Sequence, residues 1–472
     1  MMCGFLREYF VMIQVPASSA MAPGERLLCL NQEHLLLSRE YTRRQGIALP
    51  PSSVVSVLRV SGAVDPGRIE QALNSLVARH PALRIAVHPS AAVSAEQRAA
   101  ELAEFAQTGI FGSGLYLQSI VDRAHVPFHV TLGPVTDLSE LRELIATEAA
   151  HEFDIAQPPL IRARLVHVEM CEHLLILSVD HLVADAWSLN LIRKELAALV
   201  SGTPLEQRPA DSDYASWQHA MIQEGLFASS LEYWQQQWRD FGPARLGFED
   251  FPFCLARRST SAGRFESVRD SFDNQQSGAI RAFARKSKVT LYVLFLASFS
   301  RLLQRYSGSS KLGLWGHFAN RLRPEDRAAV GWYAHTHLLG IDLGTHPADR
   351  ELLLHCREVV GKAVQHQAIP VMQVWRALGG YPRSNVLDAK VLLDLSLADE
   401  PLPQGNGLSI EHAPELSPVA GRFASLGLYV RDNRDILGLS VQYLEERFPK
   451  PAIEQLLVDF KNEVTGFLAA GS

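Results

Sequence analysis

Apolar residues along this chain switch between a spacing of two and a spacing of three to four, and each switch marks an element. The stretch SVVSVLRVSG (53–62) is rich in β-branched residues and predicts a strand. DPGRIEQALNSLVARH follows, with Ile69, Leu73, Leu76 and Val77 on one helical stripe. Asp65 is placed to cap that helix, and Pro66 suits its first position. A second helix is expected over Asp137–Glu152, where Asp137 and Glu140 have capping-box spacing. LIRARLVHVE then partly alternates, whereas EHLLILSVDH is nearly all apolar, as a strand covered on both faces should be. Ser188 stands where it would cap the next helix, LNLIRKELAALV.

SGTPLEQRPADSDY (Ser201–Tyr214) is dense in turn formers and predicts a linker. Beyond it the same grammar returns: strands at RFESVRDSF, LGLWGHF, LGLYVRD and LGLSVQYL, and helices at SGAIRAFARKS, TLYVLFLASFSRLLQRYS, Leu352–Leu378 and Ala452–Leu468. No close sequence repeat is present, yet both halves mix strands and helices in similar proportion. The expected organisation is an N-terminal tail over 1–22, an α/β lobe over 23–205 and a second α/β lobe over 206–472. A cleft between two lobes is a favoured place for a ligand.

Composition narrows the function. At 472 residues the chain suits two or three lobes. A net charge of -6 offers no basic footprint for nucleic acid. No apolar run approaches the ~18–20 residues that span a bilayer. The N-terminal segment is interrupted by Glu8, Gln14 and Pro16, which argues against a secretion signal. Cys3, Cys29, Cys171, Cys254 and Cys356 are scattered and odd in number, which suits reduced thiols in a cytoplasm.

The apolar strand ends in Asp180 and His181, with Asp185 four residues on and a helix directly after. A strand end that feeds a helix through a tight turn is where α/β proteins tend to carry reactive groups. Spacing alone favours a half-buried histidine whose ring is satisfied locally. Strand alternation sends Asp180 and His181 to opposite faces. An ionised, buried Asp180 then needs a hydroxyl, Arg or Lys within hydrogen-bonding reach.

This stretch resembles the HHxxxDG motif of the condensation-domain superfamily of nonribosomal peptide synthesis. LNQEHLLL (30–37), RHPALRIAV (79–87), FDIAQPPLIRARL (153–165), DYASWQ (213–218) and LEYWQQQ (231–237) resemble further blocks of that family, in its order. So do TLYVLFLASFSRLLQRYSG, GHFANRLRPE, VGWYAHTHLLGIDL and HQAIPVMQV in the second half. The resemblance spans roughly Glu25–Leu468. It implies two chloramphenicol-acetyltransferase-like lobes forming a V-shaped pseudo-dimer with a tunnel between them.

It also implies a condensation-type acyltransferase that moves a carrier-protein-bound acyl thioester to an amine or alcohol, giving an amide or ester. The length leaves no room for an adenylation module or a carrier, so acyl or peptidyl carrier proteins are expected to act in trans. Their phosphopantetheine arms would be the cofactor presented, with none tightly bound, no metal, no nucleic acid and no membrane involved. The acceptor is a small amine or alcohol, free or carrier-bound. Arg43, Arg44 and Lys311 are candidate carrier contacts.

By resemblance His181 is the catalytic residue, because a neutral imidazole can take the proton that the attacking nucleophile loses. Asp185 is structural, paired with Arg321 or, as second choice, Arg84. Trp187 and Ser188 shape the turn and cap the helix, while His335, Ser188 and His317 are assigned to the substrate channel. Three positions depart from the family: Asp180 for the first motif histidine, Ala186 for the motif glycine and His335 for an asparagine. His335 and His337 share a strand face, yet two histidines without a third ligand make a weak metal site. The departures also fit a second reading, a catalytically degenerate platform that recruits another enzyme to a carrier-bound intermediate. An epimerase would need an acidic group where this chain has LWGHFANR.

Overall fold

The apolar stretch 172–180 forms a strand at the middle of a five-stranded sheet. A computed structural model describes residues 21–46, 53–135, 137–169, 172–206, 213–242, 265–344, 348–380, 391–396, 401–416, 426–433 and 435–470. Most of the expected tail and residues 207–212 of the expected linker lie outside the described residues, as do Cys3, Cys171 and Cys254. Cys29 and Cys356 are buried free thiols.

In chain order the elements begin with β1 (Glu25–Leu27), α1 (Leu30–Arg44), β2 (Ser53–Gly62), α2 (Pro66–Arg79), β3 (Ile85–Pro89) and α3 (Ala95–Thr108). Next come β4 (Tyr116–Ile120), β5 (Phe128–Pro134), α4 (Leu138–Ala149), β6 (Ile161–Glu169), β7 (Glu172–Asp180), α5 (Ala186–Ser201) and α6 (Tyr214–Gln223). After these are α7 (Ala228–Phe241), β8 (Phe265–Phe272), α8 (Asn274–Lys286), α9 (Leu291–Ser307), β9 (Lys311–Phe318), α10 (Pro324–Arg327) and β10 (His335–Asp342). The last are α11 (Asp349–Gln365), α12 (Val371–Ala377), β11 (Val391–Ser396), β12 (Leu408–His412), β13 (Leu426–Asn433), β14 (Ile436–Leu444) and α13 (Lys450–Ala470).

These elements form two compact units, and neither is one continuous stretch. The first comprises Met1–Leu226, Arg321–Ala334 and Asp399–Gly421; the second comprises Phe227–Asn320, His335–Ala398 and Arg422–Ser472. The units thus divide differently from a single boundary at 205/206. Two later segments join the first unit because β12 pairs with β2 and because Arg321 is held by Asp185. Neither long-range pairing leaves a local trace in the sequence.

The main sheet of the first unit has the order β12-β2-β7-β6-β5. β7 runs antiparallel to β2 and to β6, so every residue from Leu174 to Asp180 is buried. Ser53 stands opposite Asp180, which fixes where the strand ends. Gly62 lets β12 approach: its φ is +111°, and a Cβ there would lie 2.1 Å from the Gly407 carbonyl oxygen. Leu141 and Ile145 of α4 pack on Val55, Val57, Val166, Leu174 and Ile176 of this sheet. A small sheet of order β1-β4-β3 completes the unit.

The second unit holds a mixed sheet of order β10-β9-β11-β13-β14-β8. Phe295 and Phe299 of α9 meet Phe460 of α13 in its core. Among the described residues no helix is long and apolar enough to cross a membrane.

Most predicted helix starts agree with the structure. Asp65 caps α2 by accepting the Gly67 N–H, with Pro66 first in the helix. Asp137 caps α4, but through the Ser139 N–H rather than a reciprocal box with Glu140. α5 differs: its cap is Asp185, whose Oδ1 accepts the Ser188 N–H, so Ser188 lies inside the first turn instead of capping it.

Candidate functional site

Asp185 is buried at 2% exposure, and donors meet both of its oxygens. Oδ1 accepts the Ser188 N–H at 2.8 Å and the Arg321 Nη2 at 2.8 Å. Oδ2 accepts the backbone N–H groups of Tyr333 at 3.0 Å and Ala334 at 3.2 Å. One carboxylate therefore starts α5, neutralises a buried guanidinium and anchors the segment after α10. Arg321 goes on to donate to the carbonyls of Asp326 and Ala329, and its Cζ sits 4.0 Å from the Tyr333 ring centroid. Arg84 is engaged elsewhere, donating to the carbonyls of Val77 and Asp122 at 3.1 Å each.

Ser188 stitches the same junction. Its hydroxyl donates to the Gly331 carbonyl at 2.7 Å and accepts from Gly331 N–H at 3.0 Å and Arg321 Nη2 at 2.8 Å. Trp187 is exposed, with its indole N–H on the Arg327 carbonyl at 2.9 Å. Ala186 opens α5 and is not among the positive-φ residues, so that backbone does not require the family's glycine.

This junction places segment 331–334 beside His181. The half-buried imidazole stacks on the Trp332 indole, with centroids 4.3 Å apart and planes 28° from parallel. Its Nδ1 lies 2.8 Å from the Ala184 carbonyl oxygen, which can only accept. Nδ1 therefore carries the proton of the neutral ring, and Nε2 presents the lone pair. Burial lowers the His181 pKa below the usual value; the Ala184 carbonyl and the charges of Asp185 and Asp180 oppose that shift. The ring is thus predominantly neutral at pH 7.

Asp180 makes contacts of a different kind. It is 3% exposed, and its Oδ1 takes Arg39 Nη2 at 2.7 Å and the Leu182 N–H at 2.8 Å. The partner that burial demanded is thus Arg39, on α1. The same helix braces the His181 turn again through Gln32, whose Nε2 donates to the Leu182 carbonyl at 2.8 Å, and holds segment 331–334 through Asn31 Nδ2 on the Ala334 carbonyl at 2.9 Å. Arg39, Gln32, Asn31 and Trp332 escaped the sequence reading of the site. Only Gln32, Asn31 and Trp332 lie within the family-like blocks, where they carried no assigned role.

His335 and His317, expected at a substrate channel, belong to the second unit. His335 is buried at 2% exposure; Nδ1 donates to the Gln367 carbonyl at 2.9 Å and Nε2 faces Asn320 Nδ2 at 3.5 Å. Burial lowers its pKa to about 4. His337 stacks on Trp234 at 4.2 Å and is pushed well below the usual histidine value, again by burial. His317 Nδ1 meets Thr336 Oγ1 at 3.0 Å. Among the described residues no three His, Cys, Asp or Glu side chains gather as a metal site. Of the suggested carrier contacts, Arg44 is paired with Glu40 and Lys311 with Asp342 at 3.9 Å.

Comparison with known proteins adds the family. A family model described as "Condensation domain" matches residues 52–472. Malpibaldin synthetase of Mortierella alpina is 28% identical over 328 residues, 68% of this chain and 6% of that protein. The chain spans only 4–8% of the length of the first curated relatives it matches. The condensation domain of the monacolin K polyketide synthase MokA superposes with a TM-score of 0.75 at 18% identity, covering 95% of this chain and 98% of that one. The X-domain from teicoplanin biosynthesis also reaches 0.75, at 20% identity, covering 95% and 96%. A structure of that X-domain with OxyB matches as well. The mixed α/β fold is accordingly the two-lobed, chloramphenicol-acetyltransferase-like fold of condensation domains.

Two predictions follow from the geometry. Arg39→Ala strands a buried carboxylate, so it should cost about 3 kcal/mol in urea unfolding. Adding Asp180→Asn should recover part of that loss, since the charge is gone while Oδ1 still accepts from Leu182; additive losses would refute the pairing. His335 has a folded pKa depressed to about 4. Its contribution to stability is complete above the unfolded value of about 6.5 and is lost as pH falls toward 4. The unfolding midpoint of His335→Asn should therefore fall less steeply between pH 6.5 and 4 than that of the parent. Parallel curves would remove His335 as the cause.

Proposed function

The chain belongs to the condensation-domain family, and from that premise we propose that it is an acyltransferase of nonribosomal or hybrid polyketide biosynthesis. It takes an acyl group held as a thioester on the phosphopantetheine arm of a carrier protein supplied in trans. The acceptor is a small amine or alcohol, and the product an amide or ester. Dependence on carrier-bound thioesters assigns it to the cytoplasm.

The observation that carries this reading is the His181 ring, held as the neutral Nδ1–H tautomer by Ala184 with Nε2 as its basic nitrogen. In the proposed step the acceptor nitrogen or oxygen attacks the thioester carbonyl carbon while its proton passes to Nε2. The tetrahedral intermediate then collapses, the C–S bond breaks, and the departing thiolate takes the proton back from the imidazolium. Asp185, Arg321 and Ser188 hold the turn and the Trp332 segment in register without touching the reacting atoms.

A second reading keeps support from two observations. The X-domain of teicoplanin biosynthesis shares the fold and pairs with OxyB, and this chain has Asp180 in place of the first motif histidine. On that reading the chain recruits an enzyme to a carrier-bound intermediate. Burial of Asp180 against Arg39, with His181, Asp185 and Arg321 all retained, favours catalysis instead.

His181→Ala separates the two. With acyl-loaded carrier and a panel of amines and alcohols, followed by intact mass, the variant should discharge the thioester about 10²–10⁴-fold more slowly. The parent kcat/KM should fall on the acid side with an inflection below pH 6.5, because the base must be neutral and burial depresses its pKa. Undiminished transfer by the variant would remove His181 as the base, and a parent that discharges no thioester would leave the platform reading standing.

A further inference from the structure

Trp332 has two neighbours of different kinds. On one it stacks, the His181 imidazole; it also lines a pocket of about 100 Å³ inside the first unit. Much of that pocket's wall is aliphatic, with Ala82, Ile85, Ile120, Val183 and Val330. Val183 belongs to the His181 turn itself, so the pocket adjoins the reacting histidine through both the turn and the indole.

The polar groups on the wall are already committed within the protein. Arg79 Nε and His80 Nε2 both reach Glu195 Oε2 at 2.8 Å. Gln118 Nε2 donates to the Leu27 carbonyl at 2.7 Å, and Gln32 spans Leu182 and Cys29. The Tyr214 hydroxyl accepts from Gln218, Asp213 caps α6, and Arg26 has interactions of its own. Groups fixed in this way keep the cavity from collapsing and demand no charged ligand. A neutral, largely apolar guest suits them best.

We propose that this pocket receives the acyl chain of the donor thioester and that its walls, Ala82 and Ile120 among them, set the length of chain accepted. The proposal rests on the acyltransferase reading. An apolar cavity of about 150 Å³ takes benzene, so about 100 Å³ suits a short acyl chain of about three or four carbons. With the chain seated there, the thioester carbonyl lies on the His181 side of the indole. A longer chain meets the wall and withdraws the carbonyl from Nε2.

The test uses S-acyl pantetheines from acetyl to octanoyl, with one amine acceptor that the parent accepts, and measures kcat/KM along the series. The parent should peak at three to four carbons, to within about one carbon. Ala82→Leu fills the pocket and should move the optimum to acetyl, with about tenfold or greater loss for butyryl. Ile120→Ala enlarges it and should move the optimum to longer chains. The opposite directions of these shifts distinguish selection from general damage. Unchanged profiles in both variants, with transfer still abolished by His181→Ala, would overturn the pocket and leave the acyltransferase reading intact. Transfer that survives His181→Ala would overturn His181 as the base that the pocket serves, and a parent that transfers no acyl group would overturn both the pocket and the acyltransferase reading.

Discussion

A single buried carboxylate organises the region around His181. Asp185 could not remain charged at 2% exposure without compensation, and it is compensated on both oxygens by a helix N-terminus, a guanidinium and two further backbone amides. Those donors come from three parts of the chain: the start of α5, Arg321, and Tyr333–Ala334. Satisfying the charge therefore requires bringing these parts together. The consequence is that Trp332 lies on His181 and that Arg321–Ala334 joins the first unit rather than the second.

The same logic explains the chain's most unusual motif position. Where the family motif has a histidine, Asp180 brings a buried negative charge next to the His181 turn. Arg39 offsets it, and the carboxylate also accepts the Leu182 N–H, so the substitution becomes a brace for the turn. His181 then stands among negative charges that raise its pKa and burial that lowers it more. Ala184 fixes the tautomer. The result is a ring suited to accept a proton near neutrality, on a turn braced by α1 and flanked by an indole.

How much of this was legible beforehand depended on the range of the interactions. β7 could be read because a strand covered on both faces is apolar at every position. The caps at Asp65 and Asp137 could be read because they act over two or three residues. The α5 cap was misplaced because Asp185 and Ser188 both suit an N-terminus, and only the buried guanidinium selects between them. Asp185 and Arg321 are 136 residues apart and were paired through the family's blocks, not through periodicity. Arg39 and Asp180, 141 residues apart, left no trace beyond the demand that some donor be near. The three-stranded sheet went unread because β1, β3 and β4 run only three to five residues each.

The proposed role of His181 depends most directly on the protonation state of its ring. With histidine labelled at both ring nitrogens by ¹⁵N, the NMR signal of His181, assigned by its loss in His181→Ala, reports tautomer and charge across pH. We expect a protonated Nδ1 and an unprotonated Nε2 at pH 7, with titration below 6.5. In Asp185→Ser, which keeps a helix cap but loses the carboxylate, the two tautomers should become mixed. A ring that is charged at pH 7, or protonated on Nε2 in the parent, would contradict the role assigned to His181 and to the carboxylate that positions its surroundings.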